Sequence, residues 1–168
     1  MLSYAVCPGD TSRLFLERLD FALQQYPNHI DFPQLVNTEL DPPKVTGIFS
    51  AADIRYCRDT AFACSTFYTA GRAVPWFLSV LKPLRIYPSR FFADFAEWQR
   101  VNNCSYKSGF DPEGENHKSI EKMQLLFLDE KYELNLSKLN QDDLELLHKI
   151  KCLQFSLFYY YKKIFFYS

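Results

Sequence analysis

Seven consecutive residues near the N-terminus, Cys7-Pro8-Gly9-Asp10-Thr11-Ser12-Arg13, set a thiol and a guanidinium at the two ends of a tight loop. The loop follows the short apolar run Leu2 to Val6 and precedes a stretch of helical periodicity, so a strand hands over to a helix N-terminus here. That setting carries chemical meaning. Backbone N–H groups at a helix start cradle a phosphate, and the helix dipole stabilises its charge. Gly9, Thr11, Ser12 and Arg13 are the expected phosphate-binding residues, and Cys7, as thiolate, is the expected nucleophile on phosphorus.

These seven residues resemble the phosphate-binding loop of cysteine-dependent phosphatases, in particular the low-molecular-weight tyrosine phosphatases and arsenate reductases, which carry it after the first strand. Gly9 stands at the matching glycine. Asp10 stands where those enzymes have Asn, and Leu14 where a hydroxyl residue follows the arginine. The resemblance implies a general acid from an Asp-Pro pair late in the chain, and Asp111-Pro112 matches it, without the tyrosines expected beside it. The competing structural reading is an apolar cysteine ending a strand, a Pro-Gly turn, and Arg13 exposed on the polar face of the first helix.

Other reactive residues form weaker patterns. Cys104 and His117 share one loop and are the components of a thiolate–imidazole pair, but their spacing does not hold them together. Cys57 and Cys64 lie two helical turns apart, roughly 10 Å along an axis, too far to share a metal and right for core packing. His29, His117 and His148 lack partners at ligand spacing, so neither a metal nor a cofactor is expected. Arg55, Arg58 and Asp59 stand where a phosphate or carboxylate can bind, although Arg55 and Asp59, four apart, are expected to pair with each other.

The elements that position these residues follow from periodicity and breakers. Thr11 or Ser12 caps a helix to about Tyr26, with Phe15, Leu19, Ala22, Leu23 and Tyr26 on one face and Pro27 as its stop. Residues 28 to 43 read as a loop with at most an edge strand at Phe32 to Val36, and Val45 to Phe49 as a second buried strand. Ser50 and Asp53 form a capping box for a helix to about Ala70, with a stripe of Ile54, Cys57, Ala61, Cys64 and Tyr68 ending at Gly71. A short helix at Val74 to Leu81, a strand at Leu84 to Tyr87 and a Ser89-capped helix bearing Phe91, Phe95 and Trp98 come next. Residues 102–118 form a long polar loop, and Met123 to Leu128 with Tyr132 to Leu136 suggest a hairpin, with helix as the other reading. A last amphipathic aromatic helix spans 140–166. This order favours a single domain over 1–168, α/β or α+β, a small mixed sheet packed by helices, with a mostly α fold as the alternative.

Composition bounds the function. The chain of 168 residues is 48% hydrophobic and 23% charged with a formal net charge of −1, which disfavours a protein devoted to nucleic-acid phosphates or anionic membranes. Five cysteines without zinc spacing suit a reducing compartment, and no secretory signal or transmembrane run is expected, so a cytoplasmic location is inferred. Rings are the outlier: 17% of the residues are aromatic, which is expected to fill the core or to form a partner surface. The C-terminal helix, apolar on more than one side, points to protein–protein interaction or self-association through Leu157, Tyr161, Ile164 and Phe165. Because no catalytic constellation is complete, a non-enzymatic interaction or subunit protein is the first expectation. A phosphatase-like enzyme acting on a phosphorylated ligand is the second, and weak nucleic-acid binding through rings and sparse basic groups the third.

Overall fold

The computed structural model describes residues 2–7, 9–36 and 40–135. Its elements are β1 (Leu2–Ser3), α1 (Ser12–Gln24), β2 (Ile30–Asp31), α2 (Ala51–Cys64), a π-helical turn (Ser65–Ala70), α3 (Phe77–Leu84), α4 (Pro88–Val101), a 3₁₀ turn (Tyr106–Ser108) and α5 (His117–Asn135). The fold is α+β and mostly helical. Its sheet is one parallel pair in which Leu2 faces Ile30 and Ser3 faces Asp31. A parallel pair needs a crossover, and α1 supplies it.

Helix α1 starts at Thr11, whose hydroxyl accepts from Leu14 N at 3.2 Å, and its buried face is Phe15, Leu19, Ala22 and Leu23. Helix α2 opens on the capping box: Ser50 Oγ accepts from Asp53 N at 3.1 Å while Asp53 Oδ2 accepts from Ser50 N at 3.0 Å. All five residues of the expected stripe, Ile54, Cys57, Ala61, Cys64 and Tyr68, are buried. The helical path to Ala70 also holds, but its last turn widens. Gly71 N donates to Thr66 O (2.9 Å) and Ala73 N to Tyr68 O (3.0 Å), five residues back in each case. That register deprives Phe67 O of its usual partner four residues on, and Gln124 of α5 supplies the replacement. Its amide donates to Phe67 O at 2.8 Å and to Gly71 O at 3.0 Å. A Cβ on Gly71 would lie 2.1 Å from that amide nitrogen, so glycine is required by proximity, not by backbone sign.

The π turn and the 3₁₀ turn end at glycine, Gly71 and Gly109, but the other closures use larger residues, and Tyr26, expected on the core face of α1, is exposed. Tyr26, Arg72, Arg85 and Asn103, each just past a helical segment, take positive φ between 51° and 56°. Helix α4 likewise departs from the Ser89 cap expected for it: Pro88 is its first residue, and Asp20 of α1 accepts from Ser89 N (2.6 Å) and Ser89 Oγ (2.8 Å) across the helix pair. Burial holds the Asp20 carboxyl above its ordinary range despite these bonds.

The rings are core. Phe67 packs edge-on against Phe91 (4.9 Å between centroids) and Phe95 (5.0 Å), Phe77 stacks on Phe92 at 4.9 Å, and Phe127 of α5 closes the group at 5.0 Å from Phe95. A smaller set joins Tyr4, Phe15 and Phe32 beneath the strand pair.

Among the described residues several expected strands are absent, the first at Phe32 to Val36, where Leu35 N and Val36 N both donate to Phe32 O and the chain turns. Residues 45 to 49 form a loop in which Val45 and Ile48 face solvent and only Phe49 is buried, because Thr46 and Phe49 bond to each other and leave no edge to pair. Leu84 closes α3 instead of opening a strand, with Arg85 as the left-handed stop. The expected hairpin is the single helix α5, since Ile120, Gln124, Phe127 and Leu128 fall on one buried face at helical spacing. Within the polar stretch 102–118 the chain forms the 3₁₀ turn and the first turn of α5.

Candidate functional site

The N-terminal loop is tight and filled. Gly9 holds φ +87°, and Asp10 N donates to Cys7 O at 3.1 Å to close the turn. Thr11 is used as the helix cap, and the Ser12 hydroxyl donates to Asp53 Oδ1 at 2.7 Å. Arg13 turns away from Cys7: its Nε pairs with Glu17 Oε1 at 2.7 Å on the outer face of α1, with the side chain 86% exposed. The cation beside Cys7 is Arg18. Its Nη1 donates to Cys7 Sγ at 3.5 Å, its Nη2 pairs with Asp10 Oδ2, and its guanidinium carbon lies 5.4 Å from the Tyr4 ring centre. Asp10 Oδ2 also accepts from Cys7 N at 2.7 Å. The chain's own carboxylate therefore takes the loop N–H and the guanidinium that an incoming anion would need. Cys7 is exposed. Arg18 carried no spacing signal, but it lies one turn beyond Leu14, on the flank of the buried Phe15–Leu19 stripe.

Asp111 belongs elsewhere. A cavity of about 870 Å³ opens along the π turn, with Ser65, Thr69 and Ala70 in its wall, and Asp111, Glu113 and His117 line it from the following loop. Asp31 and His29 enter from the β2 side, and Phe62, Tyr106 and Phe110 supply apolar surface. Cys7 is not in this wall, so the thiol and the Asp-Pro carboxyl serve two places and the structure does not bring them together. Asp111 Oδ1 accepts from Glu113 N at 3.1 Å. Arg72 donates to His117 Nε2 at 2.7 Å. Thr69 Oγ1 is bound to Ile30, donating to its carbonyl at 3.3 Å. The sequence marked this loop as polar and long, but gave no sign that a widened helical turn would face it. Such turns recur at functional sites.

The remaining candidates separate. Cys104 is buried, donates to Gln99 O at 3.6 Å and is pushed by burial up to about 11, while His117 turns to Arg72; they form no pair. Cys57 and Cys64 are buried as expected, and burial raises both thiols, Cys57 to about 12. No group of three metal-ligating side chains occurs among the described residues. Arg55 and Asp59 make no ion pair among those residues, contrary to the helical spacing, and the Arg58 guanidinium lies over the Tyr106 ring at 5.2 Å. No helix among them is long and apolar enough to cross a membrane. The segment 140–166, with Leu157, Tyr161, Ile164 and Phe165 and with His148, lies outside the described residues. The chain matches no protein-family model, and neither the curated proteins nor the solved structures contain one significantly similar to it.

Proposed function

We propose that this chain is a non-enzymatic interaction protein that seats a basic segment of a partner protein in the cleft along the π turn. The observation that carries this reading is the cleft itself: it is open, floored by rings, bordered by the carboxylates of Asp111 and Glu113, and lined by no Lys or Arg among the described residues. A Lys or Arg side chain lays its methylenes on Phe110 and Tyr106 while its charge meets the rim. Each rim pair contributes only about 0.2–1 kcal/mol, so ring contact supplies the larger share of affinity. The test compares pools of short peptides, Lys/Arg-rich against Asp/Glu-rich, for retention by the full chain. Retention of the basic pool alone, reduced in an Asp111→Asn/Glu113→Gln variant, is expected; equal retention of both pools refutes the reading. The aromatic run at Leu157, Tyr161, Ile164 and Phe165 is proposed as a self-association surface, and truncation after Leu139 is expected to leave a folded monomer in sedimentation.

A phosphatase-like reading rests on the Arg18 guanidinium held against the Cys7 sulfur. Asp10 opposes it by occupying the anion position. Hydrolysis of p-nitrophenyl phosphate by the full chain, lost in Cys7→Ser, is the result that reading requires.

A further inference from the structure

A second opening lies between α2 and α4, a notch of about 220 Å³ whose floor includes Ala96 and whose sides carry Arg55, Arg100 and Lys107 with one carboxylate, Asp59. Three cations from three elements, α2, α4 and the 3₁₀ turn, converge there, and none of the three has an ion-pair or hydrogen-bond partner among the described residues. The cause is geometric: alanines on the facing helices bring α2 close to α4, so the long side chains rise around a hollow instead of meeting acids. Asp59 leaves the lining with a cationic excess. The neighbouring N-terminal loop of α1 shows the contrast, since its guanidinium is paired internally with Asp10.

We propose that this notch binds a phosphate monoester, presented as a phosphorylated serine or threonine on a partner protein. Arg55 and Arg100 offer planar, paired donors that match phosphate oxygens, and Lys107 adds a compact charge. One small notch suits a single dianion better than a polyanionic strand, and a net charge of −1 gives the chain no field to hold a nucleic acid. Tyr56, 44% exposed in the same wall, offers a ring to the residue flanking the phosphorylated one. Lys107 follows directly on Tyr106, which lines the cleft of the π turn, so the two openings flank one 3₁₀ turn. The anion site nevertheless stands without the cleft reading.

The experiment is a calorimetric titration of the full chain with four probes: a blocked Ala-phosphoserine-Ala peptide, its unphosphorylated form, inorganic phosphate and a short single-stranded oligonucleotide. Saturable binding of the phosphopeptide alone, or at least tenfold tighter than the other three, is expected. An Arg100→Ala/Lys107→Ala variant, altered only at exposed side chains, should weaken it tenfold or more while leaving the melting temperature and basic-peptide retention by the cleft unchanged. Equal affinity for inorganic phosphate overturns the partner assignment, and tighter binding of the oligonucleotide overturns it in favour of nucleic acid. Absence of phosphopeptide binding, or binding indifferent to the double variant, overturns the site itself, whatever the peptide pools show at the cleft.

Discussion

The loop at Cys7 and the notch between α2 and α4 both gather arginine near exposed polar surface, yet only one has room for a guest. At the loop, Asp10 accepts from Cys7 N and pairs with Arg18, so charge is neutralised by the chain itself. At the notch, Asp59 is within the same lining but makes no ion pair with Arg55. A cation near a helix terminus is thus an incomplete criterion for anion binding. What decides is whether a resident carboxylate reaches the same donors first.

The largest expected effect lies outside both places, at the π turn that walls the cleft. Gln124→Leu strands the carbonyls of Phe67 and Gly71 and should cost about 2–4 kcal/mol in denaturant unfolding. Gly71→Ala, whose Cβ would meet the same amide and Phe67 O, should cost roughly 2 kcal/mol or more. Emptying the filled loop is the next largest effect. Asp10→Ala should lose about 1–2 kcal/mol, discounted because Arg18 is partly exposed, and should gain sulfate-dependent stabilisation that the wild-type loop lacks. Arg13→Ala should leave the denaturant unfolding midpoint unchanged, because its pair with Glu17 is solvent-exposed. The smallest measurable effect is a pH slope. Hydrogen bonds from Ser50, then Ser12, hold the Asp53 carboxyl below its ordinary range. Its stabilisation is therefore complete above the unfolded carboxylate range of about 4 and fades as pH falls through the lower folded value. Acid unfolding of Asp53→Asn should show a shallower dependence there.

How far the sequence foretold these two places depends on distance along the chain. The stripe Ile54, Cys57, Ala61, Cys64, Tyr68 and the Ser50–Asp53 box were legible because both are local and periodic. The choice of Arg18 over Arg13 was not, since the five-residue spacing counts positions while the helix sorts them by face: Arg13 shares an outer face with Glu17, and Arg18 flanks Leu19. Helix α5 was obscured by the charged run Asp129-Glu130-Lys131, which imitates a turn although Lys131 pairs with Asp94 of α4. The cleft and the notch were illegible for a deeper reason. Each is assembled from elements distant in sequence, and no local pattern states which side chains will lack an acid nearby.

The bond from Gln124 to the π turn also orders events in time. It joins residues 57 positions apart, so a chain still being synthesised, with α2 and α4 already emerged, has Phe67 O open until α5 arrives. Helices formed from near neighbours close quickly, whereas this tie must wait for its partner to be made. The wall of the cleft is accordingly among the last parts of the described fold to set.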